Sequence, residues 1–168
     1  YARWQQNPNA TTINLDGVAT TLTATGTASL LQDSSGEYIS YASAATTGTA
    51  AGVLTTFFGD TYGNHLPFAS AIIKIGAGAN DLTAIRIWCG ICSADPTAAD
   101  TPGAVSLAAF RYATTTDGTV FWRTVTSDGA SATTTTTTQA IALNTRYVLM
   151  IDWSIAGRVI FSINDQVV

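Results

Sequence analysis

Short runs of alternating apolar and polar residues, separated by turn-forming residues, follow one another along the chain. Three examples are TTINLDG (11–17), EYISYAS (37–43) and RYVLMIDWS (146–154), which are rich in Val, Ile, Thr and aromatic residues. Further strands are predicted at 18–31 with a break at Gly26, and at 51–59, 68–76, 82–93, 106–115, 119–126 and 158–165. The threonines at 133–138 are predicted to form an exposed strand or a connection resting on a neighbour. This pattern predicts an all-β chain, an antiparallel β-sandwich or jelly roll with little or no helix.

The segment FRYATTTDGTVFWRTVTSDG (110–129) contains the clearest hairpin signals. Asp117-Gly118 and Asp128-Gly129 each follow an alternating run, and glycine supplies the positive φ that tight turns require. Asn164-Asp165 is predicted to form a turn that enters another strand. These aspartates therefore have an ordinary role in turns, where they cap backbone N–H groups.

Alternation within residues 110–129 allows two possible core faces, and one of them must point outward. Phe110, Tyr112 and Trp122 would form one face, and Phe121 with Val125 would form the other.

Two arginines lie inside the strands of this segment. Arg111 is predicted to face away from Phe110 and Tyr112, and Arg123 away from Trp122. We expect these arginines to mark the outer face, or to pair with Asp152 or with a neighbouring subunit. The alternative is a sheet face that stacks sugars on tryptophan and hydrogen-bonds them with arginine and aspartate. The residues that would make the glycan or subunit contact are Arg111, Arg123, Trp122, Asp152 and Trp153.

The length of 168 residues suits one domain, or one domain with a small attached segment. We predict an N-terminal β segment over 1–50, which could serve as an assembly arm, and a β-sandwich over 51–168 that continues beyond the C-terminus; one continuous domain is the alternative. Charged residues make up 11% of the chain, against roughly 25% in a typical soluble domain. We therefore expect other chains to cover part of the surface.

The charge distribution argues against two classes of partner. The formal net charge is −4, and the seven basic residues are scattered singly. Nucleic acid binding needs a basic stripe that neutralises phosphates, and an anionic membrane surface needs a similar cluster. No apolar run approaches the roughly 20 residues that a helical membrane span requires.

The two cysteines lie in WCGIC as a C-x-x-C pair, Cys89 and Cys92. A redox pair needs a helix N-terminus to stabilise the thiolate, whereas the flanking sequence is predicted to be a strand. Residues three apart on a strand point to opposite faces, and the single histidine leaves zinc without four ligands. We therefore expect two small packing residues, and neither a metal nor a cofactor.

Sets of residues that could catalyse a reaction are sparse. Glycoside hydrolysis needs two carboxylates, but the chain has a single glutamate, Glu37, and Asp152 is the one aspartate inside a predicted strand. His65 lies in a loop with no G-x-S-x-G elbow for a catalytic triad. The loop 94–103 offers oxygen ligands without the spacing of a calcium loop. The sequence favours a protein that is not an enzyme.

Several segments follow a pattern of short motifs. The pattern has the form aaFRY-t-dgt-w-vt-dg, then tRY-l-id, then v-FyIng, and it matches LAAFRYATTTDGTVFWRTVTSDG, ALNTRYVLMIDWS and VIFSINDQVV. Shorter elements match RIWCGICSADPTAADTP and TTINLDG. In these segments the chain resembles bacteriophage virion proteins. The C-terminal half also resembles the concanavalin A-like sandwich. This resemblance implies a jelly-roll fold and a structural virion component on the capsid or tail surface. Cys89 and Cys92 stand where that family usually has an aliphatic residue and threonine.

Three functions follow as hypotheses. The first is a non-enzymatic virion structural protein, either a capsid decoration protein or a head or tail fibre subunit. It would be a homo-oligomer, with a trimer as one candidate, and would contact other virion proteins. The second is a lectin-like module that binds a host surface glycan. The third, and least favoured, is a glycoside hydrolase that uses Asp152.

Overall fold

The structure is a computed structural model. It describes residues 4–6, 12–15, 18–21, 27–34, 36–42, 54–55, 68–76, 82, 85–94, 96, 104–117 and 120–168. The chain divides into two compact units, Tyr1–Asp60 and Thr61–Val168. The division lies at residue 60, whereas the sequence predicted a boundary at residue 50.

The first unit contains two antiparallel sheets. Its strands are β1 (Trp4–Gln6), β2 (Thr12–Leu15), β3 (Val18–Thr21), β4 (Thr27–Asp33), β5 (Gly36–Ala42) and β6 (Leu54–Thr55). One sheet has the order β1-β2-β3-β6, and β4 pairs with β5 in the other. The run 18–31, predicted as a long strand broken at Gly26, contains β3 and the start of β4, which have different partners. The strand predicted at 51–59 contains β6, which pairs with β3 and so belongs to the first unit.

The second unit contains two antiparallel four-stranded sheets. Its elements are β7 (Phe68–Lys74), β8 (Arg86–Cys92), β9 (Ser106–Ala113), the single helical turn α1 (Thr114–Asp117), β10 (Phe121–Asp128), β11 (Ala132–Ala140), β12 (Arg146–Ile155), β13 (Arg158–Ile163) and β14 (Gln166–Val167). Sheet I has the order β11-β10-β9-β8, and sheet II has the order β14-β13-β12-β7. The sequence prediction of an antiparallel β-sandwich with little helix is confirmed.

An aromatic core joins the two sheets of the second unit. The Phe110 ring of sheet I meets the Phe161 ring of sheet II edge-on, with 5.3 Å between the ring centroids. Trp122 meets Tyr147 in the same geometry, with 5.7 Å between the centroids. Edge-to-face contacts of this kind add to the stabilisation from apolar burial. Phe110 and Trp122 are fully buried, so the core face is the one that contains them together with Tyr112.

The predicted turns at Asp128-Gly129 and Asn164-Asp165 follow the chemistry predicted for them, whereas Gly118 of the turn predicted at Asp117-Gly118 lies outside the described residues. Gly129 has φ of 91°, and the Asp128 carboxylate accepts hydrogen bonds from the N–H groups of Ala130 and Ser131, both at 2.8 Å. Asn164 and Asp165 have φ of 51° and 65°, the conformation that a two-residue hairpin turn requires. The predicted turn into a last strand is confirmed by β14. The jelly-roll and concanavalin A-like refinements of the fold stay predictions.

Candidate functional site

A row of side chains crosses sheet I on the face opposite the aromatic core. Trp88 of β8 lies opposite Arg111 of β9, Arg111 lies opposite Arg123 of β10, and Arg123 lies opposite Thr136 of β11. Residues paired across neighbouring strands share a face, so these four side chains point the same way. The Arg111 guanidinium lies 5.6 Å from the centroid of the Trp88 ring, within the range of a cation–π contact.

Asp117 joins the two arginines of this row. Its carboxylate accepts two hydrogen bonds from Arg111, at 2.6 Å from Nη2 and 3.2 Å from Nε. The same carboxylate lies 3.6 Å from Arg123 Nε, and the Asp117 carbonyl accepts a hydrogen bond from Arg123 Nη2 at 3.2 Å. Asp117 is the last residue of α1, so this turn places one carboxylate over both guanidinium groups.

The arginine cluster, formed by Arg111, Asp117 and Arg123, is buried. The side chains of Arg111, Asp117 and Arg123 are 3%, 6% and 10% exposed. Two cations directly opposite each other repel, and a carboxylate between them offsets that repulsion. Removing one partner of a buried pair costs about 3–5 kcal/mol, because the remaining charge stays buried. The cluster therefore holds the β9–β10 connection in place.

The expectation that Arg111 and Arg123 point to a neighbouring subunit needs correction. Alternation placed them correctly on the face away from Phe110 and Trp122. It did not reveal that this face is also buried: Leu107, Ala109 and Val125 form a second apolar cluster there. The predicted pairing with Asp152 is replaced by pairing with Asp117, which the sequence had suggested as an ordinary turn residue.

The sequence contained evidence that Asp117 pairs with the two arginines. Arg111 and Arg123 stand at opposite positions of one hairpin, and Asp117 is the sole acidic residue between them. Two cations that face each other across a hairpin need a nearby anion, and the connecting segment can supply one at short range.

The other predicted contact residues are dispersed. Trp122 is 0% exposed, which leaves it no surface for a glycan or a subunit. Trp153 packs against the aromatic core. Asp152 lies on β12, and its carboxylate accepts a hydrogen bond from the Ser154 N–H at 2.8 Å. Hydrogen bonds from Ser154 lower the pKa of Asp152, which is opposite to the raised pKa of a general acid. The five predicted residues do not converge on one surface.

The two cysteines lie on opposite faces of β8. Cys89 packs against the aromatic core, and Cys92 against the second apolar cluster. The prediction from strand alternation is confirmed. Burial raises the pKa of the Cys89 thiol to about 11, so the thiolate is scarce at neutral pH. Cys89 also lines a cavity of about 100 Å³ between β7 and β8, whose walls are mostly apolar.

Two described parts of the second unit's surface consist mainly of uncharged side chains, the outer face of sheet II and the strand β11. Sheet II carries apolar side chains on its outer face, including Ile72 at 59% exposure and Val167 at 72%. One of the two edge strands of sheet I is β11, whose residues Thr133–Thr136 are all exposed.

Some predicted features lie outside the described residues, among them His65 and most of the loop 94–103. In the part of the chain that the structure describes, no group of three metal-ligating side chains comes together. No helix in that part is long and apolar enough to cross a membrane.

Comparisons with known proteins return no relative: no family model, curated protein or solved structure matches the chain.

Proposed function

We propose that this chain is a non-enzymatic structural subunit of a virion, either a capsid decoration protein or a head or tail fibre subunit. The virion setting comes from the sequence resemblance. The role of assembly subunit is supported by one structural observation, the apolar outer face of sheet II.

The apolar residues of that face follow from strand register. Ile72 lies opposite Val148, and Val148 and Met150 share a face because they are two residues apart on β12. Met150 lies opposite Ser162, which lies opposite Val167. The outer apolar patch, formed by Ile72, Val148, Met150 and Val167, takes its residues from β7, β12 and β14, and Ser162 of β13 lies between Met150 and Val167. Clusters of apolar side chains on a folded surface mark sites where another protein binds.

Charged residues lie at two ends of this patch and not within it. Lys74 lies opposite Arg146 at one end, and Asp152 continues the same face beyond Met150. An apolar centre with a charged rim is the usual anatomy of a protein interface. The partners proposed here are further copies of the chain and other virion proteins.

Light scattering coupled to size-exclusion chromatography tests the assembly role. The chain should form a defined oligomer, with interfaces above about 1,000 Å². Ile72→Ser should weaken any contact made through the patch, while the unfolding free energy stays within about 0.5 kcal/mol because the side chain is exposed. Thr116→Ser, at an exposed position outside the patch, is the control. A monomer at every concentration would contradict the assembly role, and absence from purified particles by immunogold labelling would contradict the virion location.

A further inference from the structure

Strand β11 is an open sheet edge. Among the described strands it pairs with β10 alone, and Thr133–Thr136 remain exposed in the folded chain. An edge strand presents backbone N–H and C=O groups that another strand can pair with. Natural proteins protect such edges with charged side chains or proline, and Ala132–Ala140 contains neither.

The hydrogen-bond pattern identifies which groups point outward. The Asp128 N–H donates to the Ser131 carbonyl at 3.4 Å, which marks these residues as a hydrogen-bonded pair. Bonded and non-bonded pairs alternate along an antiparallel ladder. Thr126–Thr133 and Thr124–Thr135 are then bonded pairs. The outward residues are the alternate ones: Ala132, Thr134 and Thr136.

The sequence of β11 is complementary to itself about Thr134. If two copies are antiparallel with Thr134 opposite Thr134, then Ala132 lies opposite Thr136 and Thr133 lies opposite Thr135. Every outward residue of one copy then meets an outward residue of the other, as hydrogen-bonded pairing requires. A shift of one residue would set outward groups against inward ones.

A β-bulge limits the part of β11 that can pair with another strand. Arg123 lies opposite Thr136, but Phe121 lies opposite Ala140, so β11 contains two extra residues in this interval. The Thr137 hydroxyl donates to the Trp122 carbonyl at 2.8 Å and accepts from the Gln139 N–H at 3.2 Å, which holds the bulge. A bulge twists an edge away from a partner strand, so pairing is limited to Ala132–Thr136.

We propose that β11 pairs antiparallel with β11 of a second copy of this chain, centred on Thr134, so that sheet I continues across a two-fold axis. This inference rests on the proposed function and identifies one of its contacts. The contact is isologous, since each copy supplies the same strand. The pairing forms a closed dimer, because it occupies the β11 edge of both copies. Larger assemblies would then form through other surfaces.

Two substitutions at Thr134 test the contact by sedimentation equilibrium of the full chain. Thr134→Pro removes the central outward N–H, and it removes no hydrogen bond to β10 because that N–H points away from β10. Thr134→Lys places two like charges opposite each other at the axis. Each should raise the dissociation constant of the two-fold contact at least tenfold, and added salt should partly restore only the lysine variant.

Two controls separate pairing from side-chain effects. Thr134→Ala keeps the N–H and should retain the contact. Thr138→Lys adds the same charge at an exposed position beyond the bulge and should leave the dissociation constant unchanged. An oligomer unaffected by both Thr134→Pro and Thr134→Lys overturns the β11 contact while the proposed function stands. A wild-type chain that is monomeric at every concentration overturns both.

Discussion

Strands β9 and β11 belong to the same sheet, but β9 is almost entirely buried and β11 is largely exposed. From Leu107 to Ala113 every residue of β9 is buried, whereas six of the nine residues of β11 are exposed. In β9 both faces are buried: one lies in the aromatic core, and the other contributes Leu107 and Ala109 to the second apolar cluster. In β11 the single buried residue is Thr137, at the bulge.

If β11 pairs with a second copy as proposed, one sheet separates the residues that determine folding from those that determine assembly. Polar groups on β9 are satisfied inside the chain, as Arg111 is by Asp117. Threonines on β11 favour an extended strand without requiring burial. Changes in β9 should therefore act on stability, and changes in β11 should act on association.

The largest expected effect comes from the core face of β9. Phe110→Ala should lower the free energy of unfolding by about 3–5 kcal/mol, because it removes a fully buried ring and leaves a cavity between the sheets. Urea denaturation followed by tryptophan fluorescence measures the loss. Thr135→Ala on β11 is the matched control and should stay within about 0.5 kcal/mol. Similar losses for both would remove the distinction between the strands.

The second-largest expected loss of unfolding free energy comes from the outer face of β9. Asp117→Ala should cost about 3 kcal/mol, because it leaves two buried guanidinium groups without their shared carboxylate. The loss should change little with salt, since buried pairs are weakly screened. Replacing Arg111 by Met in the same chain should restore part of the stability, as chemical denaturation of the double variant would show. Additive losses would mean that the two residues do not act together.

The smallest expected loss of stability comes from the turn that joins β10 to β11. Backbone hydrogen bonds from Ser131 and Ala130 lower the pKa of Asp128 from 3.8. A carboxyl with a lower pKa in the folded state contributes stability above its unfolded pKa, and this is lost as the pH falls through the folded value. Asp128→Ala should therefore be less stable than wild type at neutral pH, and the gap should narrow below pH 3.8. A gap that widens on acidification contradicts this role.

Local patterns in the sequence predicted most of the second unit. Alternation and turn residues located β7–β13, the opposite facing of Cys89 and Cys92, and the positive-φ turn at Gly129. These features depend on neighbouring residues, so a single sequence contains the information.

Features that depend on contacts far along the chain were missed. Alternation showed that Arg111 faces away from the core, but a sheet face can be solvated or covered, and local sequence does not distinguish these cases. The break in the run 18–31 was predicted at Gly26, but the sequence did not show that its two halves pair with different strands. The role of Asp117 was missed for a different reason: both arginines are only six residues away along the chain, but Asp117 was interpreted as an ordinary turn residue.

Amide hydrogen exchange of β11, measured residue by residue by NMR at two protein concentrations, tests the separation of roles most directly. The amides of Thr133 and Thr135 bond to β10 and should be protected at both concentrations. The amides of Ala132, Thr134 and Thr136 should be protected only at the concentration where the chain is oligomeric, and should exchange quickly on dilution. Equal, fast exchange of these three amides at both concentrations, with the oligomer present, would contradict the assignment of β11 to assembly.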